Sequence, residues 1–233
     1  MRVTPVTDAT VRRIDFGYFV RPAQETATGV PRVDPCLGYL VDHPDGTLLF
    51  DTGMGSRPDV DAYYRPHRIG LDQALAAHGL TLADITVAAN CHLHFDHCGG
   101  NPQLGSVPVF VQRTELDTAR QTADYTLPEL IEASRFEVLT GQTEVWPGVV
   151  LVPTPGHTDG HQSLVVRRSD GAVILAGQVH DTATQYAADQ LAWRAHQDEH
   201  GPPLPAVPGC IDVLQEFDPR LVYFAHDRSV WTP

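Results

Sequence analysis

Apolar residues along this chain fall mainly in short unbroken runs between polar turns, and only a few segments space them three or four apart. VRRIDFGYFV (11–20), CLGYLVD (36–42) and TLLFDTG (47–53) read as strands, with HPDG as the turn between the last two. This opening predicts a sheet of hairpins. LDQALAAHGL (71–80) has helical spacing and ends in Gly79, and ITVAAN (85–90) follows as a buried strand. From there the pattern is α/β. SVPVFVQ (106–112) reads as a strand and RTELDTARQTA (113–123) as a helix; RFEVLT, GVVLVPTPG, HQSLVVRRSD and GAVILAG read as further strands. ATQYAADQLAWRAHQ (183–197) predicts a helix, GPPLPAVPG (201–209) a rigid loop, IDVLQEF (211–217) a helix and LVYFAHD (221–227) a last strand. No low-complexity linker or fixed-period repeat divides the chain. Strands followed by helices in both halves predict an α/β fold in which two packed sheets are covered by helices, an αββα sandwich forming one domain over residues 1–233.

Composition narrows the partners. A chain of 233 residues, 42% hydrophobic, can bury a core without a disulfide or metal staple. A net charge of −13 and an isoelectric point near 5.2 argue against nucleic acid and against an anionic membrane surface. MRVTPVTDATVRR has no apolar signal core, and no run approaches the roughly 20 residues that span a bilayer, so a soluble, cytoplasmic protein is expected. Cys36, Cys91, Cys98 and Cys210 form no C-x-x-C pair and are expected as buried free thiols.

The candidate chemistry lies in NCHLHFDHCGGN (90–101), directly after an apolar strand. In an extended segment residues two apart face the same side, so His92 and His94 can reach one cation together. Asp96 and His97 lie where the chain turns at Gly99 and Gly100 and can face a second cation. His157 and His161 in TPGHTDGH, His226 in YFAHD and Asp51 in LLFDTG also follow apolar runs, and strand ends gather on one rim of a sandwich. Imidazole and carboxylate without thiolate suit Zn, with Fe, Mn or Co as alternatives.

The chain resembles the metallo-β-lactamase superfamily, and within it the N-acyl homoserine lactonases. The resemblance rests on LFDTGM (49–54), HLHFDHCGGN (92–101), VQRTE (111–115), TPGHTDGHQSL (154–164) and FAHD (224–227). It implies one metal held by His92, His94 and His157 and a second by Asp96, His97 and His226. It further implies a metal-bound water or hydroxide as nucleophile, metals that polarise the carbonyl and take up the developing alkoxide, and Asp51 behind a ligand histidine, fixing its tautomer.

The resemblance breaks after AVILAG. There the lactonases carry an aspartate that bridges both metals and, three residues on, a tyrosine facing the substrate; here stand Gln178 and Asp181. Two divalent ions against Asp96 and one hydroxide leave about +2, where a bridging carboxylate leaves about +1, which weakens the second metal. Three arrangements follow: Gln178 ligates weakly through its oxygen, Asp181 or His180 swings in, or only the three-histidine site fills. Asp96 and Asp181 are the candidate catalytic carboxylates, Asp181 as a general acid/base or else a solvated loop residue. Phe95 is placed either in a substrate pocket or in the core. Tyr186, Trp193 and the Pro-rich loop from Gly201 either line an acyl groove or pack inside, and Tyr63 and Tyr64 are candidates for a lid.

The expected function is hydrolysis of a small-molecule lactone, N-acyl homoserine lactone-like, with quorum quenching as its setting. Alternatives are a thioesterase or another secondary-metabolite ester hydrolase of the same superfamily, and a non-catalytic member that binds metal or ligand. Redox di-iron chemistry is disfavoured, because the resembling di-iron branch carries a glutamate where His94 stands.

Overall fold

Runs that are apolar at every position mark strands buried on both faces. The computed structural model, which describes residues 6–198, 201 and 203–233, arranges them in two sheets. The first contains β1 (Thr10–Arg21), β2 (Arg32–His43), β3 (Gly46–Phe50), β4 (His67–Arg68), β5 (Ile85–Ala89), β6 (Val109–Gln112) and β7 (Phe136–Leu139), in the order β4-β1-β2-β3-β5-β6-β7. Antiparallel pairing joins β1 to β2 and β2 to β3, as the hairpin reading expects; β3, β5, β6 and β7 pair in parallel. The second sheet runs β12-β11-β10-β9-β8, from β8 (Thr143–Trp146), β9 (Val149–Pro153), β10 (Gln162–Arg168), β11 (Gly171–Leu175) and β12 (Pro219–Tyr223).

Alternation along each strand divides its side chains between two cores. Tyr39, Val41, Leu48 and Phe50 meet Leu151, Leu164, Val173 and Leu175 between the sheets. Their neighbours Leu40 and Leu49 point outward beneath Leu71 and Leu75 of α2 (Leu71–Ala76). On the second sheet Val150, Val165 and Ile174 point outward beneath α6 (Ala183–Gln197) and α7 (Gly209–Gln215). Every position in these runs is therefore buried, and the helices lie outside both sheets. The mixed sheets with flanking helices make the expected αββα sandwich.

Some elements differ from the sequence reading. α1 (Pro58–Tyr64) and α5 (Pro128–Glu132) each start with proline at the first turn, and β8 is a half-buried edge strand; none has an apolar run long enough to reveal it. α4 covers Arg113–Gln121, two residues short of the expected helix end. β9 stops at Pro153 and β12 at Tyr223, so TPGH and FAHD are loops beyond strand ends. In the Pro-rich stretch, Pro202 lies outside the described residues. Among the described residues no helix is long and apolar enough to cross a membrane.

The loop after β3 braces α3 (Phe95–Cys98), the short helix that carries Asp96 and His97. Thr52 and Gly55 donate backbone N–H groups to the carbonyls of His97 and Phe95 at 2.8 and 2.7 Å, and Gly99 donates to Gly53 at 2.8 Å. A Cβ on Gly99 would lie 2.0 Å from Gly55 N and 2.1 Å from Met54 C. Backbone approach, not an unusual φ, demands glycine there. Gly99→Ala is expected to lower the unfolding free energy by about 3 kcal/mol, seen as a lower urea midpoint at unchanged m-value.

Candidate metal centre

Five strand ends deliver the site: β3 leads into Asp51, β5 into His92 and His94, β9 into His157, β11 into Gln178 and β12 into His226. His92 Nε2 lies 2.9 Å and His157 Nε2 3.3 Å from His94 Nδ1. Around a tetrahedral zinc bonded at 2.0–2.1 Å, ligand nitrogens stand about 3.3 Å apart. The second cluster joins Asp96, His97 and His226: His226 Nε2 is 3.2 Å from His97 Nε2 and 3.4 Å from Asp96 Oδ2. Gln178 turns Oε1 toward both imidazoles, 3.2 Å from each Nε2.

The protonation states fit a cation. Burial, with neighbouring imidazoles adding to it, holds His92 and His157 well below the usual histidine range. Burial also lowers His94 and His226, each to about 4, against the opposing pull of Asp96. These rings are neutral at pH 7 and offer lone pairs. Burial opposes the ionised form of Asp96, but His97, His226 and His94 overcome it and hold the carboxyl below its ordinary range. His97 alone shifts the other way: burial opposes its charged form, but Asp96 and Asp51 outweigh it and raise it, so a cation would displace the proton on its Nε2. One carboxylate, four neutral imidazoles and His97 within ligand distance are a fitting set for a divalent cation of the zinc type.

A shell of hydrogen bonds fixes these groups. Asp51, buried with φ 62°, accepts from Cys91 N at 2.8 Å through Oδ1, and its Oδ2 lies 3.0 Å from His97 Nδ1. Cys91 points toward the histidines: Sγ is 3.1 Å from His92 Nδ1 and 3.2 Å from His97 Nδ1. Burial pushes this thiol up, beside Asp51, so it remains protonated and donates to Asp51 Oδ2. All four cysteines are free and buried. His161 stands behind the clusters, where Nε2 accepts from Gln178 N at 3.1 Å.

Glu115 was not singled out from the sequence, although it closes VQRTE. Buried at 1% exposure, it accepts from Leu93 N at 2.8 Å, Tyr125 OH at 2.5 Å and Thr158 OH at 2.7 Å, tying the His92–His94 segment to the His157 loop. Its signal was a lone acid after an apolar strand, which spacing cannot separate from a surface charge.

Other candidates lie elsewhere. Tyr186 is fully buried against Phe224 and Trp231, its hydroxyl accepting from Gln215, and Trp193 donates to Asp212. They pack α6 onto the second sheet and do not line the cavity over the clusters, because the apolar face of α6 covers the sheet. His180 pairs with Asp189 at 2.7 Å. Phe95 serves both alternatives, lining that cavity and packing in the cluster of Leu116 and Leu130; Tyr64 lines the cavity, while Tyr63 is half-exposed.

Asp181 does not act as a free acid in this arrangement. Oδ2 pairs with Arg32 at 2.7 Å and Oδ1 accepts from Gln178 Nε2 at 3.1 Å. Burial favours its neutral form, but the Arg32 hydrogen bond and the Arg21 charge prevail and hold it down at about 2. A carboxyl more acidic when folded stabilises the protein fully above about pH 4 and loses that contribution as pH falls toward 2. Asp181→Asn is thus expected to cost about 1–2 kcal/mol at pH 7. Its gap to wild type should narrow below pH 4 in paired urea titrations at pH 7 and about 3.5.

Two mixed sheets with a rim of histidines and a carboxylate define a metal-dependent hydrolase scaffold. The chain belongs to the metallo-beta-lactamase superfamily, whose sequence profile matches residues 31–226. An N-acyl homoserine lactonase of Bacillus thuringiensis is 29% identical over 207 residues, covering 83% of this chain and 81% of the relative. A second, of Agrobacterium fabrum, is 27% identical over 196 residues, covering 72% and 71%. The crystal structure of a quorum-quenching N-acyl homoserine lactone hydrolase superposes with a TM-score of 0.71 at 25% identity, covering 98% of this chain and 95% of that one.

Proposed function

We propose that the protein is a zinc-type metallohydrolase that opens lactones, with N-acyl homoserine lactones as the nearest substrate class. The observation that carries this reading is a cavity of about 640 Å³ over the two donor clusters, with His94, Asp96, His157 and Gln178 in its floor and Phe19, Val60, Tyr64, Phe95 and Leu127 in its walls. Polar chemistry at the floor and an apolar stretch of wall, beside the charged Arg21, Glu25, Arg57 and Asp124, suit a ring ester carrying an acyl chain. The two lactonase relatives support the same class.

His92, His94 and His157 would hold one cation and Asp96, His97 and His226 the other, with Gln178 Oε1 as an additional neutral donor. Bound there, divalent cations supply a nucleophilic water at neutral pH and polarise the ester carbonyl. Asp51 keeps the His97 proton on Nδ1, leaving Nε2 as the donor atom. Asp96, ionised at the cavity floor and held below its ordinary range, would serve as the anionic ligand and hydrogen-bond acceptor facing the reacting centre rather than as the store of the released proton. Phe95 and Tyr64 exclude water from the acyl side.

The test is lactone opening by purified, zinc-reconstituted protein, followed by pH-stat with N-hexanoyl homoserine lactone and simple γ- and δ-lactones, beside a thioester panel. Turnover of lactones with the higher kcat/KM supports the reading. No opening above background overturns it, and faster thioester cleavage reassigns the substrate.

A further inference from the structure

The cavity wall contains a cation that the proposed reaction leaves unused. Arg21, at the end of β1, lines the cavity together with Asp96 and Gln178 and is only 9% exposed. Its Nε donates to Asp34 Oδ2 at 2.6 Å, and its guanidinium lies over the Phe19 ring at 5.3 Å. Asp34, 1% exposed, is itself held by Arg32 at 2.5 and 3.0 Å. The guanidinium is therefore fixed on two sides. Nη2 is sealed from solvent with no hydrogen-bond partner, and among the described residues Nη1 donates to none. A buried guanidinium that satisfies one of its five N–H groups is costly unless something completes it.

The charge of the floor points the same way. The two donor clusters contain a single carboxylate, Asp96, and the remaining nearby donor, Gln178, is neutral. Cations held there leave excess positive charge in a poorly solvated site. Arg57, the other arginine lining the cavity, is already paired with Asp59, and the acids at the mouth, Glu25 and Asp124, are exposed to water.

We propose that Nη1 of the Arg21 guanidinium binds a carboxylate carried by the substrate, so that the preferred lactone or ester is anionic rather than neutral. This rests on the hydrolase reading and narrows its substrate class. Nη1, unpartnered and not sealed as Nη2 is, is the nitrogen that a carboxylate oxygen entering the cavity can reach, and the delocalised guanidinium keeps its charge where a lysine ammonium would have to be re-aimed. Asp34 and Phe19 hold the guanidinium in place, so little ordering is lost on binding.

The experiment uses zinc-reconstituted protein and homoserine lactones acylated with hexanoyl, succinyl, glutaryl or adipoyl groups, the last three ending in a carboxylate. Glutarate binding is measured beside turnover by calorimetry. Wild type is expected to favour at least one carboxylated lactone over the hexanoyl compound by about tenfold in kcat/KM. In Arg21→Met that ratio should collapse through KM, with glutarate binding weakened by about tenfold or more; Arg21→Lys should fall between. Matched thermal melts identify any variant that misfolds, and Arg21→Lys then carries the comparison. Lactone opening with no carboxylate preference and Arg21-independent glutarate binding overturns the proposal and leaves the hydrolase reading intact. Arg21-dependent glutarate binding without turnover of any lactone does the reverse. Absence of both turnover and glutarate binding overturns both.

Discussion

His157→Ala is expected to remove about one equivalent of zinc per chain after dialysis and to lower kcat/KM for lactone opening at least about 100-fold. His157 is the most accessible of the cluster imidazoles, on a loop beyond β9, so its removal leaves the core untouched. The metal-free variant should melt within a few degrees of the metal-free wild type. His92 differs because it is fully buried against Cys91 and His97, and His92→Ala opens a cavity as well as losing a ligand. Metal analysis and thermal melts with and without zinc separate the cases: binding to the folded state raises stability by mass action, and His157→Ala should lose most of that increment. Zinc retention equal to that of wild type and unchanged turnover in His157→Ala would sink the three-histidine assignment.

Much of this architecture was readable because burial on two faces writes itself as unbroken apolar runs. Leu48, Leu49 and Phe50 are all buried, the outer two between the sheets and the middle one under α2. That run identifies a central strand, and the residues that follow it belong to the rim. The histidines were legible for the same reason, each standing just past such a run. What stayed hidden depends on contacts between distant segments. Arg21, Arg32, Asp34 and Asp181 form one network across 149 residues of separation between Arg32 and Asp181. Asn90, Asn101 and Thr52 interlock at 2.7 and 2.8 Å behind α3. No local period marks such residues, since each alone looks like a surface polar group. Tyr186 and Trp193 show the converse limit: helical spacing shows that α6 has an apolar face but not whether sheet or cavity receives it.

Gln178→Asp is expected to have opposite effects on the metal-free and zinc-loaded protein. Wild type should retain fewer than two zinc ions per chain through dialysis, because the Gln178 oxygen facing His97 and His226 is a neutral donor. A carboxylate there adds a negative charge beside the second cluster and should tighten zinc by about 10- to 100-fold. Without metal, the same change deletes the amide that donates to Asp181 and sets two carboxylates against each other, with Asp96 close by. That repulsion is expected to cost about 1–3 kcal/mol in the metal-free state, with Arg32 relieving part of it. The zinc-induced rise in melting temperature should therefore grow from both ends, from a lower start and with a tighter ligand. Gln178→Leu serves as the contrast: it removes the oxygen without adding charge, so zinc retention should fall below wild type. Two full equivalents surviving dialysis in wild type, or equal retention in all three proteins, would show that residue 178 does not set occupancy of the second site.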